Sequence, residues 1–495
     1  MSRFPFHRLG AGAMALCASL ALGLPAARAA APAPPNAVEL ARGSTNAQLD
    51  DLERRTFDFF WDTTNTRNGL APDHVPLRGK PFASIAADGF ALTAYGIGVE
   101  RGYITRRQAI ARVLTTLRFF ADAPQGPFED GDAGYRGFFY HFLDLKSGKR
   151  YGRWVELSTV DTTLLLGGVL FVQSYFDRDT PKEREIRHLA DTIYQRVDWT
   201  WAQNHPPAIS MGWTPGGGFI KQDWTGYDEG MLIYILALGS PTHPVQPDAW
   251  QAWTSTYGRS WGTYEGQTYL AFAPLFGHQY SHAWVDFRGI RDAYMRGRGM
   301  DYFENSRRAT LAQQAYAIAN PHRFKGYGRN VWGLTACDGP GHFTWRHDGR
   351  SIRFRGYSAR GAGLSGSRFD DGTLAPTAAL SSMPFTPHRS QAVLRTLLER
   401  YGKAIYRTYG FVDAFNPTFG PPGAKPRIGQ RIAGVGWVDD GYLGIDQGPI
   451  LLMIENYRSG LVWRVMRRNP YIRRGLERAG FRGGWLDRQA TGGSG

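Results

Sequence analysis

Apolar positions along this chain recur mostly with a helical period, and the recurrences are of two kinds. The stretches 163–176, 231–238 and 450–454 are apolar nearly all round, the pattern of helices enclosed on every side. Others, such as 105–122 and 182–203, set an apolar face against a charged one. The predicted helices run 46–64, 87–101, 105–122, 159–176, 182–203, 229–238, 248–255, 265–276, 281–298, 301–318, 390–401, 447–460 and 470–479, with Gly-, Pro- and aromatic-rich loops between them. One good hairpin signal appears, FTWRHDGRSIRFRGY, with Asp348-Gly349 as its two-residue turn. Enclosed helices alternating with half-exposed ones suit an inner ring wrapped by an outer ring. The predicted fold is all-α: an (α/α)6 toroid, a double ring of helical hairpins, with a small β-hairpin insertion. An α-solenoid is the main alternative.

The first 29 residues read as an export signal. Arg3 and Arg8 form its basic start, 9–24 its apolar stretch, and Ala27-Arg28-Ala29 its small-x-small cleavage site. No lipid-acceptor pattern surrounds Cys17, because Leu16 is too bulky for the position before it. The expected organisation is 1–29 signal peptide, 30–45 Pro/Ala-rich linker, 46–482 a single catalytic domain and 483–495 a flexible tail. No later apolar run is long enough to cross a bilayer, so no membrane insertion is expected after cleavage. The expected location is periplasmic or secreted. Cleavage leaves Cys337 as the one cysteine, which excludes an intrachain disulfide.

The formal net charge is +15, and much of it comes from Arg464, Arg467, Arg468, Arg473, Arg474, Arg478 and Arg482. Their spacing fits the solvated face of terminal helices, and no nucleic-acid motif accompanies them. A nucleic-acid partner is therefore not expected; anionic glycans stay possible.

Acids change the picture more. Asp88, Asp161, the pair Asp228–Glu229 and Asp446 each open a predicted apolar helix. One alone could be a helix cap worth ~1 kcal/mol. Four or five, approached by the Trp- and Gly-rich segments GRWVELSTVDT, IKQDWTGYDE and GVGWVDDGYLGID, fit a shared acidic mouth better. Two carboxyl groups flanking an aromatic-lined cleft are the minimum equipment for glycosidic hydrolysis. Trp154, Trp213, Trp224, Tyr227, Trp332 and Trp437 fall in the expected rim loops and offer flat faces to sugar rings. A helix N-terminus depresses a carboxyl pKa, while burial and the neighbours Asp228, Asp161 and Glu156 raise that of Glu229; the raising terms are expected to prevail.

Rival chemistries are weaker. His278, His282 and Asp286 are spaced four apart, as on one helical face, but Gln279 stands where a zinc protease needs its Glu base. These histidines read as polar core or cleft lining. Tyr140-His141 could supply the acid/base groups of a polysaccharide lyase. No metal or cofactor is expected.

The chain resembles the bacterial glucoamylase-like family, which includes the endo-β-1,2-glucanases of glycoside hydrolase family 144 and a domain of cyclic β-1,2-glucan synthases. The resemblance covers about 49–481. It rests on ASIAADGFALTAYGIGVERG, GFFYHFLD, ELSTVDT, GYDEGMLIYILALGSPTHP, FGHQYSHAWVDFRGIRDAYM, DYFENSRRAT, ACDGP, DDGTLAPTAA and IDQGPILLMIENYRSG. It implies an (α/α)6 toroid that acts on β-1,2-glucan or its oligosaccharides by inversion, without a metal. In that pattern Glu229 matches the general acid, and Asp446 is the first choice of base with Asp413 second. Glu156 and Asp161 match supporting or substrate-binding carboxylates. Asp228, Tyr227, Trp154, Trp224, His141, His278 and Trp437 complete the expected substrate-binding set. A transglycosylase, a hydrolase of another β-glucan and a non-catalytic glycan-binding protein are the remaining readings, and a monomer is expected.

Overall fold

The structure, a computed structural model, describes residues 36–347 and 349–487. The expected signal peptide, the first part of the linker and most of the tail lie outside the described residues. So does Asp348 of the predicted turn.

Four helices are enclosed on nearly every side: Ile85–Glu100, Thr159–Tyr175, Met231–Gly239 and Gly444–Arg458. The helices Thr45–Thr63, Arg106–Asp122, Pro181–Gln195 and Pro387–Ile405 bury one face only. Their ends carry the expected chemistry. Thr105 and Gln108 form a capping box, and Thr180 caps a helix that starts with Pro181. The Ile85–Glu100 helix packs against both the Thr159–Tyr175 and the Gly444–Arg458 helices, and Thr159–Tyr175 also meets Met231–Gly239. Outside them, Arg106–Asp122 packs on Pro181–Gln195, Thr45–Thr63 on Gly444–Arg458, and Pro470–Arg478 on Met231–Gly239. A Cβ on Gly168 would come within 2.1 Å of the Gly89 carbonyl oxygen, so only glycine allows these two central helices their backbone approach.

Short strands feed the enclosed helices. Phe82–Ser84 leads into Ile85, Leu157–Ser158 into Thr159, and Tyr442–Leu443 into Gly444. Each strand is held by an antiparallel partner: Phe142–Asp144, Gly212–Thr214 and His74–Val75 respectively. A first-turn acid is thereby delivered from a fixed strand end. The fold is thus predominantly helical, with nine small sheets among the described residues. No helix among them is long and apolar enough to cross a membrane.

Several sequence expectations are corrected. Residues 265–276 are not a helix: Trp261–Tyr264 and Gln267–Leu270 form a hairpin, turned by Glu265 and Gly266 at positive φ. A run as short as Gln267 to Leu270 cannot separate a strand from a helix by its period. The 281–298 helix is broken. Tyr280–Trp284 stops at an extended Val285, Asp286 binds the Arg288 backbone N–H and guanidinium, and Ala293–Arg298 starts anew. His278, His282 and Asp286 therefore share no helical face. The 229–238 helix starts at Met231, because the Asp228 carboxylate accepts the Gly230 N–H at 2.8 Å and folds a turn before it. The Phe343–His347 and Arg350–Phe354 strands pair as expected, but they are one hairpin among several.

Beneath that hairpin lies a buried ion pair. Arg360 and Asp371 are both fully enclosed and meet through two bonds of 2.8 and 3.0 Å. The remaining guanidinium donors bind the carbonyls of Cys337, Ser358, Arg355 and Gly356. This clasp ties the Asp338 segment to the loop bearing Tyr357. Replacing Arg360 by Ala would strand a buried carboxylate, and urea unfolding should show a loss of about 3–5 kcal/mol.

Candidate active site

Two connected hollows open beside these strand ends. One of about 330 Å³ is lined by His74, Leu77, Phe82, Asp338, Tyr357 and Arg427 among others. The second, of about 240 Å³, shares His74, Phe82, Asp338 and Tyr357 and reaches His141 and Ile445. They form one groove with acid clusters near its walls.

The first cluster holds His141, Glu156, Asp161 and Glu229. His141 Nδ1 lies 2.8 Å from Glu156, and Nε2 lies 3.5 Å from Asp161. Burial opposes charge on His141, but Asp161 and the Glu156 bond outweigh it and lift the imidazole to about 9. Glu156, despite burial, is held below the usual carboxylate range by His141. Ser158 caps this helix, its Oγ accepting the Asp161 N–H and donating to the Asp161 carboxylate, which is raised by burial with His141 opposing. Glu229 is half-buried at the turn before its helix, with Oε2 enclosed and unpartnered. Burial pushes it up to about 7, a backbone hydrogen bond opposes, and Asp161 adds to the rise. Asp228 is raised well above the usual range by burial and by Glu229.

The second cluster holds Asp73, His74, Asp338, Asp413, Asp439 and Asp446. His74 bridges Asp73 at 3.1 Å and Asp338 at 2.8 Å. The Asp338 N–H donates to Asp413 at 2.7 Å. Asp413 and Asp446 are adjacent and almost fully buried, and Asp446 keeps one oxygen without a partner. Burial, with the Asp446 charge next, drives Asp413 well above the usual range. Asp446 is raised to about 7 by burial, held down by a hydrogen bond from Asp413, and raised again by Asp338. In this pair Asp413 keeps the shared proton and Asp446 ionises first. Tyr280 joins the clusters: burial raises its phenol, and Asp446 and Glu229 both lie near enough to raise it further.

Two groups have metal-ligand spacing, with donor atoms within 4.8 Å: His141, Glu156 and Asp161, and Asp338, Asp413 and Asp439. In the first, both imidazole nitrogens face carboxylates and so act as donors, which leaves no lone pair for a cation. In the second, Asp338 already accepts from His74 and Asp413 from a backbone N–H.

Of the residues expected from sequence, Glu229, Asp228, Glu156, Asp161 and His141 come together, as do Asp413 and Asp446. Four aromatic positions do not reach the groove. Trp224 is buried and donates to Thr159, and Tyr227 stacks on Tyr302. His278 is fully enclosed and pushed down to about 3 by burial. Trp437 is buried with Cys337, Phe354 and Phe419 under the hairpin. These side chains frame the site instead of lining it, because aromatic surface of that size is best hidden between helices. Trp154 is 67% exposed and sits at the outer rim near Phe142. Asp88 is wholly enclosed and bonded by the Ala71 N–H, so it does not join the groove. Sequence reasoning passed over His74, Asp338, Asp439, Tyr280 and Tyr357. The ACDGP and WVDDG motifs contain the two aspartates, but nothing around His74 is periodic.

A predominantly helical protein with a carboxyl-rich groove defines the class. Residues 221–470, half of the chain, match the family described as "Putative glucoamylase", and this chain belongs to that family. Among solved structures, a putative glucoamylase from Bacteroides uniformis ATCC 8492 is 32% identical with a TM-score of 0.76, covering 90% of this chain and 100% of that one. The endo-β-1,2-glucanase of Chitinophaga pinensis, solved with sophorotriose and glucose, is 29% identical with a TM-score of 0.75, covering 90% and 100%. An exo-β-1,2-glucooligosaccharide sophorohydrolase (non-reducing end) from Parabacteroides distasonis is 29% identical over 460 residues, 87% of this chain. The chain spans 57% of the length of that relative.

Proposed function

We propose that this protein is an exported glycoside hydrolase that cleaves β-1,2-glucan or its oligosaccharides with inversion. The observation that carries the reading is the presence of two carboxyl groups raised to about 7, Glu229 and Asp446, each with an enclosed unpartnered oxygen and both near Tyr280. The β-1,2-glucan-active relatives supply the substrate class. Protonated Glu229 gives its proton to the glycosidic oxygen as that bond to the anomeric carbon breaks. Water attacks the opposite face, and its proton passes to Asp446, directly or through a substrate hydroxyl. Asp413, holding its proton, donates to Asp446 and orients it. Glu156, Asp161, Asp228 and His141 hold the sugar and the acid; Trp154 serves the rim.

The proposed architecture is a single (α/α)6 toroid over 46–482, acting as a monomer behind a cleaved 1–29 signal. Contact between the first enclosed helix, Ile85–Glu100, and the last, Gly444–Arg458, supports a closed ring over a solenoid. Incubation with linear β-1,2-glucan, followed by anomeric NMR, tests the function. Inverted short products are expected; sophorose alone would match the exo relative, and a ladder the endo one. Unchanged glucan would overturn the reading.

Catalysis needs Glu229 protonated and Asp446 ionised. Below about 7 Asp446 gains a proton, and above about 7 Glu229 loses one. A narrow bell in kcat/KM centred near neutrality is expected, and a flat profile from pH 5 to 9 would contradict these roles.

A further inference from the structure

We propose that His74 is a positioning residue, a fixed imidazolium that serves as the internal cation of the second acid cluster and keeps Asp446 able to act as base. The inference rests on the hydrolase reading above. Both ring nitrogens face carboxylate oxygens, Nδ1 at Asp73 and Nε2 at Asp338. A neutral imidazole has one N–H and one lone pair, so it would turn that lone pair toward an acceptor; only the doubly protonated ring satisfies both contacts.

The location makes that charge matter. His74 pairs across a strand with Leu443, and the Gly444 N–H donates to the Asp73 carbonyl at 2.9 Å, two residues before Asp446. The imidazolium is thus locked to the segment that carries the candidate base. Asp73 and Asp338 face it directly, with Asp439, Asp413 and Asp446 behind them, and His141 and Tyr357 line the same hollow. Nearby arginines are committed elsewhere: Arg78 to Asp440 and Arg360 to Asp371. Arg427 lines the outer hollow. The second imidazolium of that hollow, His141, is bonded to Glu156 and faces Asp161, so His74 is the cation bonded directly to the second acid cluster. The side chain is 26% exposed and lines both hollows, so the groove reaches it. Burial opposes its charge, but the hydrogen bonds it donates to Asp338 and Asp73 prevail and raise it to about 10.

Three enzymes decide the matter: wild type, His74→Gln and His74→Lys, each checked for an unchanged melting profile. In His74→Gln the acid limb of the kcat/KM profile should move up by about one pH unit, a roughly tenfold loss at pH 6. His74→Lys, which restores a cation, should bring the limb back toward wild type. A limb that stays in place while activity falls equally at every pH would make His74 merely structural and overturn the proposal. A second measurement needs no turnover. In ¹⁵N-histidine-labelled protein at pH 8, the ring signal of His74, recognised as the one missing from His74→Gln, should be that of a doubly protonated imidazole. A neutral His74 ring would overturn the inference. A wild type that leaves glucan intact but keeps the His74 imidazolium signal would overturn the hydrolase reading alone.

Discussion

Replacing Glu229 by Gln is expected to cut turnover by about 10²–10⁴-fold while the protein folds normally. The change is nearly isosteric, and the enclosed Oε2 has no partner to lose. What disappears is the proton that the leaving oxygen needs. The same substitution should also change stability with pH. Glu229 is raised in the folded state from 4.5 to about 7, chiefly by burial. Folding thus favours its protonated form. That contribution is complete below the unfolded value and is lost as pH rises through about 7. Gln never ionises, so Glu229→Gln should melt higher than wild type at pH 8 and equally at pH 4. Calorimetry at the two pH values separates this from a general stabilisation. Near-wild-type turnover in the variant would sink the assignment of the acid.

Asp446→Asn is expected to be as impaired, by about 10²–10⁴-fold, since an amide cannot accept the proton of attacking water. Asp413→Asn discriminates between the two candidate bases. Asp413 holds a proton toward Asp446, and an Asn side chain can also donate there, so its loss should be milder, about tenfold. The Asp413 oxygen that accepts the Asp338 N–H is likewise replaceable by the amide oxygen. Parallel kcat measurements on the two variants settle the order. If Asp413→Asn is the more damaged, Asp413 is the base and the sharing of the proton has been assigned the wrong way round.

Much of the first acid cluster was legible along the chain. ELSTVDT places Glu156 and Asp161 within one strand–helix junction, and GYDE places Asp228 and Glu229 at a single turn. Such groups are close in space because they are close in sequence. The aromatic residues misled for a physical reason. A Trp beside a motif can face the substrate or the core, and local pattern carries no sign of which. Trp224, Tyr227 and Trp437 went to the core. The segment 265–276 misled similarly, since a short run with some apolar residues fits a strand as well as a helix.

By itself the sequence determined which helices are enclosed and which are one-sided, and that acids stand at the starts of enclosed helices. Period and capping are local, and local chemistry writes them directly into residue order. Tertiary structure alone decided which acids meet. His74 and Asp338 bond across 264 residues, Asp338 and Asp413 across 75, and Asp88, as well placed by its motif as Asp161, ended sealed inside. Those outcomes depend on how the helices and strand ends pack together. The same packing sets the burial that raises Glu229 and Asp446 to about 7. A carboxyl group's protonation near neutrality is a property of its surroundings, and only the folded chain assembles them.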